Sequence, residues 1–121
     1  MRRMVAALLL PSLLSGCGGT LTQTAADCAP AIRRDGVTYV SSGFTRQAAK
    51  GAGQADHSEC DDNGADARGA YFPEGPRRVQ VWSFDGQDPR TALGVRQLNG
   101  TFRVFVAEGV DSSQILDALE R

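Results

Sequence analysis

The sequence predicts a mainly β domain of the α+β class: an antiparallel sheet of about five strands with a short C-terminal helix. The pattern also allows the sheet to curl into a small, partly open barrel. Three observations lead there. Asp35-Gly36 and Asn99-Gly100 are two-residue hairpin signals flanked by apolar residues. Residues 78–84 alternate as a strand does. Residues 111–119 open on an N-cap residue and carry an apolar stripe at helical spacing.

Taken in order, Ala31–Arg34 and Val37–Val40 form the first hairpin around Asp35-Gly36. A type I′ turn there sets Ile32 opposite Tyr39 on one face, beside Arg34 and Val37, with Arg33 and Thr38 on the other. Residues 41–53 show a helical or loop pattern around Thr45–Lys50. Residues 54–75 are polar and dotted with glycine, and read mostly as loop. In 78–84, Val79 and Val81 fall on one face, Gln80, Trp82 and Phe84 on the other. Apolar residues on both faces mark a central strand.

Asp85–Pro89 is a turn-rich connection, and Arg90–Leu93 a helical turn. Leu93–Ala107 is the second hairpin. A two-residue turn at Asn99-Gly100 pairs Leu98 with Thr101, Val95 with Val104 and Leu93 with Val106, giving a core face with Phe102. The reverse face sets Gly94 against Phe105 and Arg96 against Arg103. The helix starts at Asp111, with Gln114 completing a capping-box-like pair and Val110 and Ile115 a hydrophobic staple. Its stripe of Ile115, Leu116 and Leu119 must dock on the sheet, because so short a helix is unstable alone.

The N-terminus has a different character. Arg2 and Arg3 precede an apolar run, Met4–Leu10, which Pro11 breaks and Leu13 and Leu14 resume. The run falls short of the roughly 20 apolar residues that cross a bilayer, and reads as an export signal. Leu14-Ser15-Gly16-Cys17 resembles the lipobox of bacterial lipoproteins. The resemblance implies that residues 1–16 are removed and that the Cys17 thiol carries a diacylglyceryl group. Residues 17–27 would then be the lipidated cysteine and a flexible tether, spanning about 15–20 Å as a coil. Residues 28–121 would be a single small domain on the extracytoplasmic face of the cell membrane. A secreted protein whose Cys17 is incidental is the alternative, and Arg2-Arg3 also fits twin-arginine export.

The chain has 3 cysteines. With Cys17 given to lipid, Cys28 and Cys60 are left to pair in an oxidising compartment, pinning the 54–75 stretch against the first hairpin. A metal site of Cys60 and His57 has too few ligands. Without Arg2 and Arg3, 11 of the 13 basic residues remain against 14 acidic ones. That balance argues against a nucleic-acid partner.

Asp56, Glu59, Asp61, Asp62 and Asp66 crowd one stretch with Asn63 and Gly64, a composition that suits calcium. Asp61, Asp62, Asn63 and Asp66 are the candidate ligands. The spacing fails the EF-hand pattern at Ala65 and Asp66, and a solvated acidic loop is the competing reading. His57 is the only histidine, and Ser41 and Ser42 lie outside a nucleophile elbow, so neither a catalytic residue nor a cofactor is expected. Phe44, Tyr71 and Phe72 sit in loop-like sequence and are candidate binding residues, unless they seal the sheet's edge. Arg96 and Arg103 mark either a solvated face or a site for an acidic partner.

The lipobox, Cys28 with Asp35-Gly36-Val37-Thr38-Tyr39, Cys60-Asp61-Asp62-Asn63-Gly64, Trp82-Ser83-Phe84 and Asp88-Pro89 together resemble small lipoproteins of actinobacteria, a family of unknown function. The resemblance implies the disulfide and the surface location, and no activity. The expectation is a membrane-anchored extracytoplasmic lipoprotein acting as a non-catalytic binding or structural module. Its candidate partners are an envelope protein or a wall polymer. A calcium-dependent module using residues 56–66 is the second reading, and an enzyme or enzyme inhibitor the third.

Overall fold

Asp35 and Gly36 both take positive φ, 51° and 80°. That is the type I′ requirement, and the turn joins β1 (Ala31–Arg34) to β2 (Val37–Thr45) in the predicted register. Ile32 faces Tyr39, and both are buried. The computed structural model describes residues 28–120. The expectations for the signal segment 1–16, for Cys17 and for the tether to residue 27 lie outside the described residues.

The helical or loop reading of 41–53 is corrected. β2 runs on to Thr45, and β3 (Ala49–His57) follows at once. Two irregularities hid these strands. The pairing of β2 with the later strand β8 (Phe102–Ala107) shifts between Ser41 and Gly43. That of β3 with β6 (Arg77–Phe84) shifts between Gly51 and Gln54. An extra residue resets the apolar phase, and Ala49–Ala55 has no large apolar side chain to show one.

The loop reading of 54–75 is corrected in part. After β3 ends at His57, β4 (Glu59–Asp61) and β5 (Gly69–Tyr71) make a separate two-stranded sheet with Cys60 opposite Ala70. Cys28 and Cys60 are disulfide-bonded, with Cα atoms 5.4 Å apart. The bridge ties the chain just ahead of β1 to this small sheet. Ser58 reinforces the junction: its N–H donates to the Ala31 carbonyl (3.0 Å), and its Oγ accepts from the Ala31 N–H (3.0 Å).

β6 is central, with β3 on one side and β7 (Ala92–Arg96) on the other. The second hairpin forms, but one residue out of the predicted register. β7 and β8 place Gly94 opposite Val104, Leu93 opposite Phe105 and Arg96 opposite Phe102. The reason is loop length. Of Asn99 and Gly100, only Gly100 has positive φ (89°), so the turn is not type I′. Gln97 and Thr101 close a three-residue loop instead, through Gln97 N–H to Thr101 O (2.8 Å) and Gly100 N–H to Gln97 O (3.0 Å). A glycine at the left-handed position of such a loop is a common hairpin alternative. The slip exchanges the faces: Arg96 and Arg103 are not paired, and Phe105 does not cover Gly94.

The main sheet runs β1-β2-β8-β7-β6-β3, six strands rather than about five. β3 returns to β1 through Ile32–His57 and Arg33–Asp56, and β6 meets β7 in one pair, Trp82–Gly94. The ring of antiparallel pairings closes, with two thin seams.

Neighbouring residues on β8 point to opposite faces, and both faces are buried. Phe105 and Ala107 join Ile32, Tyr39, Ala55, Val81 and Leu93 in one cluster. Phe102, Val104 and Val106 join Phe84 and Leu119 in a second, against which Ile115 and Leu116 pack. That second cluster is the berth of α1 (Ser112–Leu119), as the stripe predicts. Gly43 makes room for it, since a Cβ there would stand 3.0 Å from Leu116 Cδ2. Asp111 is the N-cap. Its Oδ1 accepts from Ser113 Oγ (2.7 Å) and Ser113 N–H (3.0 Å), and these bonds hold its carboxyl below the usual range.

The Tyr39 hydroxyl donates to the Pro89 carbonyl (3.0 Å), tying β2 to the β6–β7 connection. Burial pushes the phenol's pKa above its ordinary value, with the Arg34 charge pulling the other way. The unfolded phenol therefore ionises first. This contribution to stability is full below about pH 10 and is lost as pH rises through the folded-state value. Tyr39→Phe is expected to cost about 1 kcal/mol at neutral pH and to flatten the alkaline limb. Urea denaturation from pH 8 upward checks both.

Candidate functional site: a groove at the end of the second hairpin

Three segments meet at an open groove of about 1160 Å³: the end of β2 with residues 46–48, the β7–β8 loop, and the C-terminus of α1. Two large apolar side chains stand exposed on it, Phe44 (55% exposed) and Leu98 (109%). The three-residue loop puts Leu98 there; a two-residue turn would have set it in a strand, opposite Thr101. The loop is braced from within. Asn99 Oδ1 accepts from Thr101 Oγ1 (2.7 Å) and Thr101 N–H (3.1 Å). Thr45, itself buried, fixes the other rim: its Oγ1 donates to the Leu119 carbonyl (3.3 Å) and accepts from the Gln47 N–H (3.2 Å).

Of the predicted binding residues, the structure brings Phe44 and Arg103 together. Phe44 lies on β2, not in a loop, and the Arg103 guanidinium stacks 4.8 Å from its ring centre while donating to Ser41 Oγ (3.0 Å). Arg96 turns instead to Trp82 (5.1 Å) and Phe102 (5.4 Å). Tyr71 and Phe72 lie at the β4–β5 sheet, each under a guanidinium: Arg68 at 3.8 Å and Arg33 at 4.4 Å. Leu98 was missed by sequence reasoning. Its one signal was an apolar residue directly before Asn-Gly, which reads as a strand end if the turn is assumed to have two residues.

The acidic stretch does not gather around a common centre. Asp56 belongs to β3, between Arg33 (3.3 Å) and Arg78 (3.1 Å). Asp61 pairs with Arg68 (3.4 Å), while Asp62, Asn63 and Asp66 are exposed between β4 and β5. Cys28, Cys60 and Asp62 do converge, but the two sulfurs are bonded to each other and cannot ligate as thiolates. His57 Nδ1 lies 2.7 Å from the Ser58 carbonyl oxygen and 3.0 Å from Arg77 Nη2. Both contacts hold the Nδ1 edge of the ring.

These features define a small, disulfide-linked antiparallel β domain with a C-terminal helix packed on its sheet and, at the end of the second hairpin, a groove of mixed polar and apolar lining. The chain belongs to a family of unknown function, DUF6281, whose model matches residues 19–120. Neither the curated proteins nor the solved structures contain a match to it.

Proposed function

We propose that the protein is a membrane-anchored extracytoplasmic lipoprotein, held by a diacylglyceryl group on Cys17, and that it acts as a non-catalytic binding module. Its partner is an extended segment of an envelope protein seated across Phe44 and Leu98. One observation carries the binding reading: two exposed apolar side chains on rims that the protein's own hydrogen bonds hold in place. Exposing a full leucine costs solvation that a monomer recovers by folding it inward, and a braced loop loses little entropy when a partner arrives. Gln97 and Asn99 line the groove beside the apolar side chains. With Nε2 of Gln97 on the Val95 carbonyl and Oδ1 of Asn99 on Thr101, the Gln97 side-chain carbonyl oxygen and the Asn99 amide N–H groups are left to meet a peptide backbone, which offers both donors and acceptors. The lipobox at Leu14–Cys17 supports the anchor.

The test is photo-crosslinking in native envelopes, with the probe at position 98 and a control probe at the exposed Asp66. A discrete adduct from position 98, absent from position 66 and lost in Phe44→Ser, is the expected result. Equal labelling from both positions, or an adduct that digests as wall polymer, overturns the peptide reading. Intact mass of the native product tests the anchor, and an unmodified Cys17 refutes it.

A further inference from the structure

We infer that the groove meets its partner at the bilayer: the segment seated across Phe44 and Leu98 belongs to an integral membrane protein and lies directly beside its membrane span. This placement rests on the groove and the Cys17 anchor proposed above. Strand register carries it. β2 is antiparallel to β1, so its last residues lie at the end of the sheet where β1 begins. The Pro30 carbonyl still accepts from the Ser41 N–H (3.0 Å), and β2 then runs on alone past β1 to Thr45. Phe44 stands about 10 Å along the strand from Ser41, and Cys28 at most about 7 Å from Pro30. The Phe44 wall of the groove is therefore within about 25 Å of Cys28, at the same end of the domain. The Asp35-Gly36 turn marks the opposite end.

The length of chain ahead of Cys28 sets the rest. Residues 17–27 reach at most about 36–40 Å, whatever their conformation. A diacylglyceryl group on Cys17 holds the far end of that length in the membrane, and two acyl chains do not release it readily. The groove is thereby kept in a thin layer over the bilayer, at the end of the domain from which the chain leads to the anchor. Such confinement raises the effective concentration of a partner held in the same layer. A soluble protein spends its time outside the layer and is met no more often than by a free domain. The stretch of chain that never leaves the layer is the one joined directly to a membrane span.

The experiment repeats the crosslink from position 98 in native envelopes with the full chain. A parallel sample carries residues 18–121 exported behind an ordinary cleavable signal peptide, so that the same domain has no lipid. Each adduct is digested, and the crosslinked peptide is placed in its parent protein. The anchored chain is expected to give a peptide next to an apolar span of roughly 20 residues. The soluble form, at equal amount, is expected to give at least about tenfold less of it. Resistance of Cys28 and Cys60 to alkylation without reduction shows that the soluble form has its bridge. A long Gly-Ser insertion after Gly19 keeps the lipid but thickens the layer; its yield should fall between the two, and it serves if the soluble form is not bridged. An adduct with a protein that has neither span nor lipid, or equal yields from all forms, overturns the membrane partner and leaves the groove as a peptide site. No adduct from any form overturns the groove itself, and the membrane partner with it.

Discussion

Cys28→Ser with Cys60→Ser is expected to lower the thermal midpoint of the domain by about 15–30 °C. The bridge closes a loop with a sequence separation of 32. In the chain-entropy account, such a crosslink removes about 3–4 kcal/mol of unfolded-state freedom. In a domain of this size each kcal/mol moves the midpoint by about 4–8 °C. The location adds to the effect. The β4–β5 sheet shares no strand pairing with the six-stranded ring, so the bridge adds a crosslink to the backbone connections that lead into it from β3 and out of it to β6. Either single serine variant should match the double variant, as should wild type melted in excess reductant. A drop below about 5 °C would mean that the reduced, unfolded chain is already compact there, against the premise of the entropy account.

Gly94→Ala is the second large effect expected. A Cβ at this position would lie 2.6 Å from Phe84 Cζ, 3.1 Å from Phe84 Cε2 and 3.3 Å from Phe102 Cδ1. Phe84 cannot give way easily, because its ring packs edge-on against Phe102 (centroids 5.8 Å apart), which in turn leans on Trp82. Overpacking of this kind costs about 1–3 kcal/mol. It falls at the single pairing that joins β6 to β7, Trp82 with Gly94. Adding Phe84→Leu should return part of the loss, so that the double variant is more stable than the two separate costs imply. Urea midpoints of the four proteins in the cycle decide it, and strictly additive costs would show that the clash relaxes elsewhere.

The two hairpins show what was legible in the sequence and what was not. Asp35-Gly36 specified turn, register and inward faces together, because two consecutive positive φ angles admit one kind of loop. Asn99-Gly100 specified a hairpin but not its loop length. Only Gly100 went left-handed, and one residue of slip moved Phe105 to the opposite cluster and separated Arg96 from Arg103. β3 was invisible for another reason: Lys50, Gly51, Gly53 and Gln54 bury nothing, and the strand exists because β6 pairs with it. The helix was readable down to its docking residues, since Asp111 and the Ile115, Leu116 and Leu119 stripe are local features.

The candidate sites were less legible, because they are made by distant partners. Phe44 and Arg103 were each visible as residue types, but their stack depends on β2 lying beside β8. The acidic stretch suggested a cation because the arginines that occupy Asp56 lie 23 and 22 residues away. Leu98 was hidden by the same one-residue slip that exposes it.

Tension applied along the chain ahead of Cys28 would enter the domain at the residue that is bonded to Cys60. Such a pull divides there, part running into β1 and part crossing the sulfur bridge into β4. β1 is a four-residue strand held by β2 and by two pairs with β3, and would otherwise be peeled away from its end. The bridge gives the load a second covalent route, past β1 and into β4.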